Sequence, residues 1–348
     1  MNIESRTTSN LEHRTSNLEH RTSNIEPRTS NLEHRTPALR RYDIDWIRVI
    51  AIGLLIIYHA AVAFQPWGPM IGFVTNKNSW TGLWWPMAVL NVWRIPLLFF
   101  VSGMGVYFAM RSRTWLELIG ERTKRIFIPY LFGMLVIVPI QVAIWRGKFA
   151  YFGFNPAHLW FLGNIMTYVV IFSPIFYYVK IKKFSPLIGI LLFMVAMVAE
   201  VLVIKPYPYE LYAMTLHGFF LGMIAFFFGY LFASQEIRVT WIGLVAIALT
   251  IFRLSVKSYT WLIPVESVSW IVFVLSLGSR FLNRESSVLK YLSEAAYPIY
   301  IVHMIFQFLG SILIFKLDLP VQLQFVMLVV FTLGGCLLTY EVIKRTKV

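Results

Sequence analysis

The chain has 348 residues, 58% hydrophobic and 14% charged, with a mean hydropathy of +0.66 and a formal net charge of +14. Soluble domains carry about 25% charged and about 45–50% apolar residues, so a soluble core could not hide this much apolar surface, whereas lipid can. The basic excess lies in short runs between apolar segments rather than in a stripe interleaved with aromatics, which argues against a nucleic-acid surface and for charges that set membrane topology.

Residues 1–41 form a separate polar region. The unit Arg-Thr-Ser-Asn-Leu-Glu-His recurs from Arg14 and from Arg28, and with two changes from Arg21, after a longer copy that starts at Arg6. Each unit holds a single apolar residue, so no two-position seam exists for a coiled coil. The region reads as a disordered low-complexity tail, and the repeat explains His13, His20 and His34 without a metal. Its polarity also leaves no cleavable secretory signal in view.

From residue 42 to 348 the chain reads as one membrane domain. Ten apolar runs read as long enough to span a bilayer core about 30 Å thick: 44–64, 85–109, 126–146, 158–180, 186–204, 211–233, 239–256, 259–281, 293–315 and 319–342. The expectation is an all-α polytopic bundle of about ten transmembrane helices. With both termini cytoplasmic, the inner side collects Arg40, Arg41, Arg111, Arg113, Arg122, Lys124, Arg125, Arg280, Arg284 and Lys344 among others. The outer loops keep fewer basic residues, such as Lys77, Lys148 and Lys316. That bias predicts a multi-pass protein of the cell (inner) membrane. The lone Cys336, in an apolar run, excludes an intrachain disulfide and reads as a small buried hydrophobe.

A charge in the bilayer core costs about 2.5–3.5 kcal/mol on insertion scales, so each one marks a role. His59, Arg94, His158, Glu200, His217 and Glu266 fall in the outer portions of their spans, whereas Arg48, Arg122 and Arg125 fall at the inner side. Groups that move protons therefore gather at one end and cations that hold anions at the other. Arg48 and His59 are eleven residues apart on the first span. At 1.5 Å per residue this is about 16 Å, close to three turns, so the two share a face. They could line one channel; alternatively Arg48 pairs with Asp45 at i, i+3 while His59 is a hydrogen-bonded packing group. His303, mid-span, reads as a structural hydrogen-bonding residue.

These residues carry a resemblance to the membrane acyltransferase-3 family. Arg48 and His59, with ten residues between them, match its first-span hallmark. Arg94-Ile-Pro-Leu-Leu-Phe-Phe-Val-Ser-Gly103 resembles its Phe-Phe-x-x-Ser-Gly segment, and Arg122-Thr-Lys-Arg125 its Arg-x-x-Arg. His158-Leu-Trp-Phe-Leu162 and Tyr297-Pro-Ile-Tyr-Ile-Val-His303 resemble two further elements. The five follow in the family's order. The phrasing of the second and fourth is most similar to the glucan biosynthesis C type, which is associated with succinylation of periplasmic glucans.

The resemblance implies an O-acyltransferase that moves an acetyl or succinyl group from a cytoplasmic donor, acyl-CoA, to a hydroxyl of an extracytoplasmic glycan. It implies His59 and Arg48 as catalytic, His59 serving as general base or acyl carrier. Donor-binding roles fall to Arg94, Arg122, Arg125 and Ser102, and acceptor contacts to His158, Trp160, Glu200 and Glu266. Ser102-Gly103 reads equally well as plain helix packing. The partners implied are acyl-CoA, the glycan and the bilayer, with no bound cofactor, no metal and no nucleic acid. The rival class is a transporter or flippase for a glycan or lipid-linked substrate, against which the two halves show no internal repeat.

Overall fold

The computed structural model describes residues 41–148, 156–179, 184–204, 215–256 and 259–346. The repeat tail, with His13, His20 and His34, lies outside them. Among the described residues the architecture is all-helical, as the long apolar runs require: in lipid, backbone groups must be satisfied within the segment itself. The helices are α1 (Tyr42–Val62), α2 (Trp84–Met110), α3 (Trp115–Arg146), α4 (Trp160–Tyr178), α5 (Pro186–Ile204), α6 (Leu216–Phe232), α7 (Ile242–Ser255), α8 (Leu262–Phe281), α9 (Ser287–Ile314) and α10 (Val321–Thr346).

The ten helices correspond to the ten apolar runs, but they differ in reach. Eight segments are long and apolar enough to cross a membrane. The expectation of ten full spans needs correcting at α6, with 17 residues, and α7, with 14. A helix of 14 residues extends only about 21 Å. Both still alternate in direction with their neighbours. Phe99, Gly103 and Tyr107 of α2 meet Gly222, Phe226 and Tyr230 of α6 in the same order, so these two run parallel. Phe193 and Glu200 of α5 meet Phe228 and His217 of α6 in reverse order, so this pair is antiparallel. Arg253 and Gly243 of α7 meet Glu266 and Phe273 of α8 in the same antiparallel sense.

Local signals explain where several helices start and bend. α3 begins at a capping box, in which Thr114 Oγ1 accepts from the Glu117 amide and the Glu117 carboxylate accepts from the Thr114 amide. Thr215 and Ser286 cap α6 and α9 one-sidedly, each hydroxyl oxygen accepting from the amide three residues on. α3 widens into a π-turn at Thr123–Phe127 and again at Gly133–Ile137. Pro129 and Pro139 lie just beyond these turns. Each lacks an N–H and crowds the preceding turn, which the wider turn relieves.

α1 is the hub, packing against α2, α8, α9 and α10. α1 and α9 run parallel and touch at both ends: Arg48 bonds Ser293 and His59 bonds His303. α2 and α6 press backbone to backbone. A Cβ on Gly103 would stand 1.9 Å from the Phe226 carbonyl oxygen, and one on Gly229 would stand 1.9 Å from that of Phe100. This is the small-residue helix contact that lipid, lacking a hydrophobic drive between helices, favours. α5 and α7 leave broad apolar faces exposed, including Leu187, Leu191, Leu192, Leu244 and Ile251, as lipid-facing helices should. Cys336 is buried on α10.

Candidate active site

Two clusters of polar groups stand at opposite ends of α1. The first surrounds Arg48, whose Nη2 donates to Asp45 Oδ1 at 2.9 Å and to Ser293 Oγ at 2.6 Å. The i, i+3 pairing open to the sequence is therefore present. Its side chain is still 43% exposed, which leaves much of the guanidinium open. Arg122 lies within electrostatic range of Glu121 and of Arg48, Arg113 and Arg125, and among the described residues its Nε has no hydrogen-bond partner. Arg113 and Arg125 both reach Glu121, at 3.0 and 3.1 Å. The start of α3 thus brings the Arg122-Thr-Lys-Arg125 segment to the Arg48 end.

The second cluster surrounds His59. The helix alone puts it eleven residues from Arg48. What completes its surroundings comes from distant segments. His303 of α9 places Nε2 2.8 Å from His59 Nδ1, with the two rings nearly coplanar at 3°. His303 Nδ1 in turn donates to the Tyr300 carbonyl oxygen at 2.7 Å. His158 meets the His303 ring edge to face at 5.0 Å between centroids, and its Nε2 donates to the Ile301 carbonyl at 3.0 Å. The other His158 nitrogen, Nδ1, is buried without a partner among the described residues. The preceding residue, Ala157, has φ +43. A non-glycine residue in that region stores about 1–3 kcal/mol of strain, a cost often found beside functional groups.

Arg94 is the third member of this end. It is 1% exposed. Its guanidinium carbon sits 4.1 Å from the centre of the Tyr58 ring, and Nη1 makes a long 3.4 Å bond to the Leu54 carbonyl. Among the described residues it forms no ion pair and its Nε has no partner. A fully buried cation without a protein counter-charge is costly.

The loop after α1 folds over this end. Phe73 packs 5.8 Å from the His59 ring, and Trp67 packs on Trp84 at 4.7 Å. Asn76 Nδ2 donates to Gln324 Oε1 of α10, while Gln65 Nε2 donates to the Trp80 carbonyl at 3.1 Å. Trp160 lines a cavity of about 530 Å³ with Tyr130, Gly163, Asn164 and Thr167.

The remaining expected site residues lie apart from His59. Ser102 Oγ bonds back to the Leu98 carbonyl of its own helix at 2.8 Å. Glu200 pairs with His217 at 2.9 Å, and its other carboxylate oxygen, Oε2, is buried without a partner among the described residues. Glu266 accepts from Arg253 Nε at 2.6 Å and Nη2 at 3.0 Å, and from Thr250 Oγ1 at 2.7 Å. Tyr58, His303 and the Tyr300 carbonyl are the groups around His59 that the sequence reading had not assigned to the site. His303 and Tyr300 stand over 240 residues away along the chain, and only the final motif, Tyr297 to His303, hinted at them. Among the described residues no group of three His, Cys, Asp or Glu side chains is arranged to hold a metal ion.

A family model described as an acyltransferase domain matches residues 41–341. No curated protein and no solved structure matches the chain. The match covers all ten helices as far as Glu341 and leaves out only the repeat tail and the last few residues. The chain therefore belongs to the acyltransferase-3 family, and it is a membrane-embedded acyltransferase acting on groups other than aminoacyl groups.

Proposed function

We propose that the protein transfers an acetyl or succinyl group from cytoplasmic acyl-CoA to a hydroxyl of an extracytoplasmic glycan. The observation that carries this reading is the separation of charge along α1. The Arg48 end, with Arg122 and Arg125, offers cations to a phosphate-bearing donor. The His59 end, with Arg94, His158 and His303, offers imidazoles and one buried cation to the reacting groups. A thioester on a long pantetheine arm suits a path of about 16 Å between them.

In this reading the cytoplasmic end is the Arg48 end, the membrane is the cell (inner) membrane, and both termini are cytoplasmic. His59 takes the proton of the acceptor hydroxyl as its oxygen attacks the thioester carbonyl. The C–S bond then breaks, and the leaving thiolate recovers the proton from His59. Arg94 faces the negative charge, whether on the carbonyl oxygen as it develops or on a carboxylate of the acyl group. His158 and Trp160 lie on the acceptor side, with the indole as a platform for a sugar ring. The likeness to the glucan biosynthesis C type supports a glucan acceptor and a succinyl group.

The test is His59→Ala in cells lacking the native gene, with protein level matched and envelope glycans examined by mass spectrometry. The expected result is loss of the acyl mass shift (100 Da for succinyl, 42 Da for acetyl, by formula) at unchanged protein level. Unchanged acylation would overturn the assignment of His59, and intact acylation with lost substrate movement would favour a transporter.

A further inference from the structure

We propose that His303 is a positioning residue that fixes the tautomer of His59, so that the lone pair of His59 Nε2 faces the acceptor hydroxyl. The proposal rests on the acyltransferase reading above and deepens it. It begins at a group with no choice of role. The Tyr300 carbonyl oxygen can only accept, so His303 Nδ1, 2.7 Å away, carries a hydrogen. A neutral imidazole has one N–H, and His303 Nε2 is therefore an acceptor. It lies 2.8 Å from His59 Nδ1. His59 Nδ1 must then be the donor, and the free lone pair of His59 is on Nε2.

Three observations make this chain rigid. His303 is fully buried, with 0% exposure. Its ring is coplanar with that of His59, which aligns the lone pair with the N–H. Tyr300 is itself anchored, because its hydroxyl donates to the His158 carbonyl at 2.5 Å. The charged or titratable groups around the pair are His158 and Arg94 together with the Tyr58 and Tyr300 hydroxyls; no carboxylate contacts either ring among the described residues.

The arrangement parallels the orienting role that a carboxylate plays for histidine in hydrolytic triads, but here the orienting group is a neutral imidazole. The difference has a chemical use. When His59 Nε2 takes the hydroxyl proton, the Nδ1 proton can shift to His303 Nε2, leaving His303 as the imidazolium, still bonded to Tyr300. The return of both protons delivers one to the thiolate, so the step balances without any outside acid. An ionised carboxylate at this place would cancel the positive charge of Arg94, which the anionic transition state needs.

The experiment uses the full-length chain in nanodiscs. Thiol release from acetyl-CoA and succinyl-CoA is followed with an envelope glycan extract as acceptor, for wild type, His59→Ala, His303→Leu and His303→Gln. Leucine removes the acceptor; the glutamine amide can both accept from His59 and donate to Tyr300. The expected result is a fall in kcat of at least about 100-fold for His303→Leu, since a wrongly held tautomer costs up to about 10⁴-fold in the triad enzymes. KM for the thioester should stay within about twofold, and His303→Gln should recover at least tenfold of the loss. Full activity in His303→Leu, or equal loss in both variants, would overturn the proposal. An active His59→Ala would instead overturn the parent reading. Should His303→Leu fail to accumulate, ¹⁵N spectra of the histidine-labelled wild type decide: the resonance pair absent from His59→Ala must show protonated Nδ1 and unprotonated Nε2, and the reverse would sink the idea.

Discussion

Glu266 shows how a single intramembrane charge is kept. Arg253 holds both of its oxygens, Thr250 adds a third bond, and Trp270 Nε1 donates to the Thr250 hydroxyl at 3.0 Å. Removing one member of such a pair leaves the other buried and unpaired, at a cost of about 3–5 kcal/mol, while neutralising both costs far less. Glu266→Gln is therefore expected to lower the thermal midpoint of the purified protein sharply, and Arg253→Gln added to it to restore most of the loss. A double variant no more stable than the single would show that the pair is not what the two residues contribute. Arg48, His59, Arg94 and Arg122 were legible in the sequence, because a charge in an apolar run announces itself. The partner of His59 was not. A mid-span histidine suggests a hydrogen-bonded packing group, and His303 Nδ1 does make such a bond to Tyr300. Its second nitrogen faces a residue 244 positions away, which no spacing on one helix reveals.

At the scale of the helix, α2 and α6 meet through glycine. Gly103 has no room for a Cβ against the Phe226 carbonyl, whereas Gly105, two residues on, has nothing within 4 Å. Gly103→Ala should force the two backbones apart and destabilise the protein by about 1–3 kcal/mol, the usual cost of overpacking. Gly105→Ala should be silent, and thermal melting in detergent compares the two. Equal stability of both variants would show that the contact relaxes freely. The Ser102-Gly103 pair was readable as a packing signal, but Gly229, which meets the Phe100 backbone in the same helix contact, was not, since any of several glycines would serve. Helix positions followed from apolar runs, and the boundaries moved where polar residues extend a helix. The apolar run at 126–146 understated α3, which starts at Trp115, because Glu117, Glu121 and Arg122 lower the local hydropathy while the capping box starts the helix. α9 likewise begins at Ser287, ahead of the run from 293.

Across the whole molecule, α1 and α9 run parallel and α10 returns beside α9, where Tyr340 bonds Glu294 at 3.2 Å. The described chain therefore starts and ends at the same end of the bundle, the one that carries Arg48. The proposed orientation puts that end in the cytoplasm. The lone cysteine is buried, so added cysteines report cleanly. In intact cells a membrane-impermeant maleimide should label Lys77→Cys, in the exposed loop after α1, and leave Arg284→Cys unlabelled until the cells are opened. The opposite pattern would invert the topology and with it the direction of transfer. The short helices add a consequence for the surrounding lipid. α6 is clasped to α2, and α7, at 14 residues, is tied to α8 by Glu266, so neither can lengthen its reach. Acyl tails against the exposed face of α7, from Leu244 to Ile251, are expected to shorten to match, a hydrophobic mismatch that thins the bilayer on the α7 flank of the enzyme. On that flank the two aqueous compartments come closer together, and membranes with longer or more ordered chains would resist the dimple.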